Sequence, residues 1–361
     1  MTRRVRLVRA TLGYEGGLVL YTATSGPVPT LDEIRLVAEE DGRIVALGAT
    51  RTNIAYLAGT AQETIEAAVL DVAIGLDWRL PWADLVPAMD RRWPDLIAPA
   101  RMLFEMAAQD GAAREKGETG QASATPTNQT LFWQEDASLL ARARAYVARG
   151  FTELKLRIGI GSFDDDLRRL RLLREAFGPA IRLSVDANGG WSAAEAPGRL
   201  DALAVVGLDY VEQPLAFDAW EDTAGLSRVS PIPIMLDEAL GSMAAIRRLA
   251  ETGAAPLAHL KLAKLGGLDR MAEAARLLKA AGIGIMVGQM NEGAISTAAV
   301  ARIAIALDAP FRELYGADGL TGEAAAPPLT YADGLLHLPP GSGLDRYPIG
   351  PSTPVFWDST R

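Results

Sequence analysis

From Phe151 onward the chain alternates short apolar runs with longer amphipathic stretches, the pattern that repeated strand–helix units and a parallel sheet require. The runs are "ELKLRI", "IRLSVDAN", "LDYVEQP", "IPIMLDEA", "LAHLKLAK" and "GIGIMVGQM", with "TLFW" before them and "FRELYG" after them. Between them lie "DDDLRRLRLLREAFG", "SAAEAPGRLDALAVVG", "SMAAIRRLAETG" and "LDRMAEAARLLKAAG", closed by the glycine that a helix C-terminus favours. Eight strands separated by helices is the count of a (β/α)8 barrel. The first hundred residues read differently. "DEIRLVAEEDGRIVALGAT" predicts an antiparallel strand pair turning at Asp41-Gly42, followed by helices in "TAQETIEAAVLDVAIGL" and "APARMLFEMAAQDGAARE". The expected organisation is an α+β domain over residues 1–115, a connection in "EKGETGQASATPTNQ", and a barrel over 122–324. The turn-rich stretch from about 325 to 361 is expected to return and complete the first domain.

Composition narrows the chemistry. With 361 residues, 49% of them hydrophobic, the chain can bury the core of a large barrel and a second domain. No run of about 18 apolar residues occurs and basic residues interrupt the N-terminal "MTRRVRLVRATLGYEGG", so neither a membrane partner nor a secretory leader is expected, and a cytoplasmic location is. The absence of cysteine excludes thiolate nucleophiles and thiolate metal sites. With only His259 and His337 as imidazoles, a hard cation on carboxylates is favoured over zinc. A net charge of −9 argues against nucleic acid as a partner, whereas local cations still permit a small carboxylate substrate.

Acidic residues fall at the ends of three consecutive barrel runs: Asp186 in "LSVDANGGW", Glu212 in "YVEQPL" and Asp237 in "IMLDEAL". The C-terminal strand ends of such a barrel form its active-site face, so these carboxylates converge. Helix N-capping accounts for one such Asp, but not for three at successive strand–loop junctions. Converging carboxylates repel unless a cation sits among them, and Mg2+, with Mn2+ as its substitute, suits an all-oxygen set. Lys155 and Arg157 in "GFTELKLRIG" share a face of the second strand, and Lys261 ends the sixth, across the ring. That places cations on both sides of a substrate carboxylate held at the metal, where a proton on the α-carbon is removed or delivered. Asn188, Glu238, Lys264 and Glu292 are read as substrate-binding or supporting groups. His259 shares the parity of Lys261 but lies deeper, as a hydrogen-bonded core histidine.

These motifs, in the order "KLR", "VDANGGW", "VEQPL", "LDEAL", "LKLAKLGG", "MVGQMNEGAIS" and "ELYGADGLTGE", resemble the enolase superfamily, specifically its muconate-cycloisomerase-like branch. The resemblance implies an α/β fold, a modified TIM (β/α)8 barrel with an N-terminal α+β capping domain. It also implies Mg2+ held by Asp186, Glu212 and Asp237, proton abstraction α to a carboxylate through an enolate, and assembly into homo-oligomers. "IGIMVGQMNEG" lacks the histidine of mandelate-racemase-like members, and "FRELYGADG" lacks the Asp-x-Asp of dipeptide epimerases.

One departure redirects the mechanism. The family motif on the second strand is Lys-x-Lys, and here its second position is Arg157, which stays protonated and orients charge rather than shuttling protons. Lys261 is then the expected base. At an unperturbed pKa, lysine is short of its neutral form at pH 7 by roughly 4.6 kcal/mol, which burial and neighbouring cations, Lys264 and the metal, are expected to reduce. One competent base favours a cycloisomerase. The alternatives are a succinylbenzoate synthase or N-acylamino acid racemase, an acid-sugar dehydratase, and a non-catalytic barrel that binds a carboxylate. The loop "GYEGGLVLYTATSGPVP" is unfamiliar and leaves the substrate open.

Overall fold

The computed structural model describes every residue except 1–2, 21–25, 56–58, 119, 342–346, 348, 350–352 and 361. Strands β1 (Arg4–Tyr14), β2 (Thr30–Glu40) and β3 (Arg43–Arg51) form an antiparallel sheet. Asp41 and Gly42 turn the β2–β3 hairpin with φ of 50° and 74°, the doubly positive pair that a tight two-residue hairpin demands. Helices α1 (Gln62–Gly75), α2 (Trp82–Arg92) and α3 (Ala98–Glu115) follow. β3 lies directly on α3 at Gly48, where a Cβ would stand 2.2 Å from the Leu103 carbonyl oxygen.

Two elements of this region escaped the sequence reading. β1 sits in the basic N-terminal stretch, where Val5 and Leu7 are buried while Arg4 and Arg6 reach Asp358 and Glu39. The arginines that disguise the strand lie on its outer side, Arg4 exposed and Arg6 largely covered by its pairing with Glu39. α2 carries Pro87 inside it, which breaks the helical signal.

The barrel is a parallel eight-stranded sheet in sequence order: β5 (Gln129–Leu131), β6 (Glu153–Arg157), β7 (Arg182–Asp186), β8 (Leu208–Glu212), β9 (Ile234–Leu236), β10 (Leu257–Lys261), β11 (Gly284–Gly288) and β12 (Phe311–Glu313). It follows β4 (Ser123–Pro126), which lies in the expected connection. The seam between β12 and β5 is closed by the Asn128 N–H donating to the Arg312 carbonyl at 3.0 Å and the Leu314 N–H donating to Thr127 Oγ1 at 2.8 Å. The surrounding helices are α4 (Asp136–Ala148), α5 (Phe163–Phe177), α6 (Ala196–Ala204), α7 (Trp220–Val229), α8 (Met243–Thr252), the single turn α9 (Leu262–Leu265), α10 (Leu268–Ala280) and α11 (Ala294–Ala306). Among the described residues no helix is long and apolar enough to cross a membrane.

Register brings the charged strand ends to one level. Arg157 pairs with Asp186 and Asp186 with Glu212, while Lys261 pairs with Gly288 and Gly288 with Glu313. Parallel strands in step therefore carry these groups into a single ring at the C-terminal mouth.

The C-terminal stretch divides. β16 (Val355–Asp358) pairs with β1 of the capping sheet, and so does β13 (Leu320–Thr321), which lies just inside the expected barrel segment. The hairpin β14 (Thr330–Ala332) and β15 (Leu335–Leu338) does not return there; it pairs with β4. The reason is its turn: the Gly334 N–H donates to the Arg149 carbonyl at 2.9 Å, and Gly150 and Gly334 pack so closely that a Cβ on either would strike the other segment's backbone.

The contact at Gly48 generates a test. Gly48→Ala should destabilise the chain by about 1–3 kcal/mol, the usual cost of overpacking, read as a lower denaturant midpoint with an unchanged slope.

Candidate active site

Each expected cation meets an expected carboxylate at the barrel mouth. Lys155 Nζ lies 2.9 Å from Glu212 Oε2 and 3.9 Å from Asp186 Oδ2. Arg157 bonds Asp186 Oδ2 through Nη1. Lys261 Nζ donates to Asp237 Oδ2 at 2.7 Å, and Lys264 Nζ bonds Asp237 through both Oδ1 and, at 2.5 Å, the main-chain carbonyl. Asn188 Nδ2 donates to Glu238 Oε1 at 2.9 Å, so this pair flanks Asp186 and Asp237. Lys155, Asp186 and Glu212 are completely buried, and the other groups of the ring nearly so.

Sequence reasoning missed Glu313. It bonds Lys155 through Oε2 and places Oε1 3.9 Å from Arg157 Nη2. Its signal was present in "FRELYG": Glu313 ends the eighth barrel strand as Asp186 and Glu212 end theirs. His259 is fully buried with Nδ1 2.9 Å from Glu212 Oε1, as a hydrogen-bonded core histidine should be, but Asp237 Oδ1 is also within 3.8 Å. It therefore belongs to the floor of the carboxylate cluster.

Burial and pairing set the protonation states. Burial pushes Asp186 up to about 7 against the opposing pull of Arg157. Burial likewise raises Glu212, with Lys155 opposing. Asp237 goes the other way: burial is outweighed by Lys261 and Lys264, which hold it well below the ordinary carboxylate range. Burial lowers His259, helped by Lys261, so the imidazole is neutral. Burial also lowers Lys264 more than Asp237 raises it. Lys261 departs from expectation, because burial depresses it but Asp237, Glu313 and Glu212 together leave it raised.

The donor set fits a hard divalent cation. Carboxylate oxygens of Glu212 and Asp237 and a ring nitrogen of His259 lie within 4.8 Å of one another, all buried. Nearby, Glu238 Oε2, Glu313 Oε1 and Asn188 Oδ1 are buried acceptors without a hydrogen-bond partner among the described residues. An unpaired buried acceptor is costly, and oxygen-rich Mg2+ sites are built from such groups. Asp186 stands outside the tight Glu212–Asp237–His259 group, with its Oδ2 on Arg157 and its Oδ1 accepting the Asn188 N–H at 2.8 Å.

The walls are unequal. On one side Leu20 and Val28 from the capping domain pack with Phe132 and Tyr315 above β5 and β12; the neighbouring part of that loop, 21–25, lies outside the described residues. On the other side, a cavity of about 600 Å3 opens between Ile97–Pro99 and the loops carrying Asn188, Glu238 and Lys264. Glu292 sits in the loop after β11, accepting the Met290 N–H on Oε2 at 3.2 Å while Oε1 has no hydrogen-bond partner among the described residues. Burial pushes its carboxyl up to about 7. A carboxyl whose folded pKa exceeds its unfolded value favours folding fully below the unfolded value, near 4.5, and loses that contribution as pH rises through about 7. Glu292→Gln should therefore stabilise the chain by roughly 2–3 kcal/mol at pH 8 and by almost nothing near pH 4.5, as urea unfolding at the two pH values would register.

Comparison with known proteins places this geometry. Residues 138–345 match the family model described as enolase C-terminal domain-like. Muconate cycloisomerase 1 of Pseudomonas putida is 35% identical over 194 residues, which is 53% of this chain and only about half, 52%, of that protein. The o-succinylbenzoate synthase of Desulfotalea psychrophila is 32% identical over 272 residues, 74% of this chain and 71% of that protein. The crystal structure of muconate lactonizing enzyme from Pseudomonas fluorescens, complexed with muconolactone, matches with a TM-score of 0.83 and 26% identity, covering 94% of this chain and 95% of that one. On the family match, these relatives and the shared barrel-and-cap architecture, the chain belongs to the enolase superfamily, in its muconate-cycloisomerase-like branch.

Proposed function

We propose that this chain is a Mg2+-dependent enzyme that moves a proton at the carbon α to a substrate carboxylate through an enolate, most simply as a cycloisomerase of the muconate-lactonizing type. The observation that carries the proposal is the asymmetry of the cations across the barrel. β10 ends in Lys261, which can lose and regain a proton, whereas β6 offers Arg157, which cannot and is tied to Asp186, and Lys155, which Glu212 and Glu313 hold protonated. Proton transfer is then confined to one face of the substrate, as cycloisomerisation allows and two-base racemisation does not.

Asp186, Glu212 and Asp237 are the proposed Mg2+ ligands, with His259 fixing Glu212 by its hydrogen bond. Bound there, Mg2+ supplies Lewis-acid stabilisation of the charge that develops on the substrate carboxylate. Arg157 orients that carboxylate through its guanidinium. Lys155, fully buried between Glu212 and Glu313, fixes the positive potential behind it. Lys261 takes or returns the α-proton. Asp237, with Glu313 and Glu212, holds Lys261 protonated; neutralising these carboxylates leaves burial and Lys155 to favour the neutral amine.

Elimination is the second function that an observation favours. Expelling a β-leaving group needs an acid, and the buried carboxyl of Glu292, pushed up to about 7 by burial, keeps its proton up to neutral pH. A carboxylate-binding protein without catalysis is the third.

A panel of dicarboxylates, N-acylamino acids and betaines in D2O with Mg2+ separates these functions. The enzyme should exchange the α-proton of at least one acid, and Lys261→Ala should abolish that exchange; exchange that survives in the variant rules out Lys261 as the base. A pure binder exchanges none. Loss of a β-substituent, seen by mass spectrometry, identifies elimination. The ligand set is tested by Mg2+ titration calorimetry: Asp186→Asn should weaken binding at least about tenfold, and His259→Gln should weaken it less. The reverse order would replace Asp186 by His259 in the metal set.

A further inference from the structure

The loop that follows Lys261 is gripped by a buried ion cluster from the capping domain. On α3, Arg101 is 1% exposed, and its Nη1 donates to the Gly266 carbonyl at 2.8 Å. The same guanidinium holds Asp269 with two bonds, 2.9 and 2.8 Å long, and Asp90 of α2 with two more, both 2.8 Å. One turn further along α3, Glu105 is fully buried and accepts the N–H groups of Leu268 and Asp269, at 2.9 and 3.2 Å, which are orphan donors at the start of α10. The backbone is shaped to fit this grip. Gly266 has φ of 88°, and at Gly267, with φ of 155°, a Cβ would lie 2.7 Å from Glu105 Cδ and 2.8 Å from Arg101 Nη1.

Between the clasped residues and Lys261 there is only α9, a single helical turn. Its C-terminal carbonyl region is fixed by Arg101, and Lys264, on that turn, reaches back to Asp237 beside Lys261. A four-residue turn has little stability of its own, so its orientation depends on what holds its ends. We propose that Arg101 and Glu105 are positioning residues: from the capping domain they set the angle of α9, and through it the placement of Lys264 and Lys261 over the reacting carbon. This inference rests on Lys261 being the base.

The test uses the full-length enzyme and whichever acid of the D2O panel it exchanges. Arg101→Met should lower kcat for α-proton exchange about 10- to 100-fold with KM unchanged, the expected cost of a displaced base. Amide deuteration over residues 262–269, followed by mass spectrometry, should quicken in the same variant. Arg101→Lys keeps a charge between Asp90 and Asp269 but not the five-bond fork, so it should recover the melting temperature while leaving kcat low. Gly267→Ala, which forces the loop off Glu105, should reproduce the kcat loss and decides the matter if Arg101→Met does not fold. Parent-level kcat in Arg101→Lys and Gly267→Ala overturns the proposal and leaves a structural clasp. Unchanged amide deuteration in a folded Arg101 variant overturns it as well. A parent enzyme that exchanges no acid overturns the proton-transfer function itself, and with it any catalytic role for the clasp.

Discussion

Everything at the barrel mouth depends on one electrostatic constraint: carboxylates buried together must be neutralised or they force the barrel open. Asp186, Glu212, Asp237 and Glu313 face Lys155, Arg157, Lys261 and Lys264 in a region with almost no solvent. Taking such charges out of water costs several kcal/mol apiece, and the cost is met only when each has a partner of opposite sign at bonding distance. The pairing is shared out strand by strand, so every strand end from β6 to β12, apart from β11, contributes a charge. β11 contributes Gly288 instead, where any Cβ would lie 2.0 Å from His259 Nε2. The gap in the charge ring is thus the space the imidazole occupies.

This arrangement explains which parts of the molecule could be read in advance. The parallel strands announced themselves because a strand buried on both faces is nearly continuous apolar sequence, and a polar residue at its C-terminal end is then conspicuous. Asp186, Glu212, Asp237, Lys155, Arg157 and Lys261 were all legible in this way. Glu313 has the same signature, but its run, "FRELYG", is short and carries Arg312 beside it, so the run reads as the eighth strand without its carboxylate standing out. Parity and position along the strand correctly turned His259 inward and below Lys261, yet its partner Glu212 lies 47 residues away and no local pattern names it.

The capping domain was harder to read for a related reason. Its hairpin was declared by Asp41-Gly42, but β1 was masked by the arginines on its outer face. Its grip on the barrel is invisible in one dimension. Arg101 and Glu105 sit in Pro99–Ala108, a part of the helix whose other residues are apolar and buried, and they look like stray charges until Gly266, Leu268 and Asp269, more than 160 positions away, come into contact. The same holds for Arg51, which bonds the Met290 carbonyl at 2.5 Å, and for Glu33, which accepts the Gly293 N–H at 2.6 Å. In each case a side chain from the cap satisfies backbone groups of a barrel loop, exchanging loop freedom for fixed geometry.

The capping sheet also carries a consequence for how the molecule is assembled. β1 is flanked by β2, close in sequence, and by β16, whose partners lie about 350 residues away. A contact of that separation carries a large loop-closure entropy and forms late in folding. During synthesis the barrel can close while one edge of β1 still lacks its neighbour, and an unpaired strand edge is where chains stick to one another. Arg4 on that strand, whose partner Asp358 lies on β16, remains an unneutralised charge beside the open edge until Val355–Asp358 arrives, and such a charge discourages a second copy from pairing there.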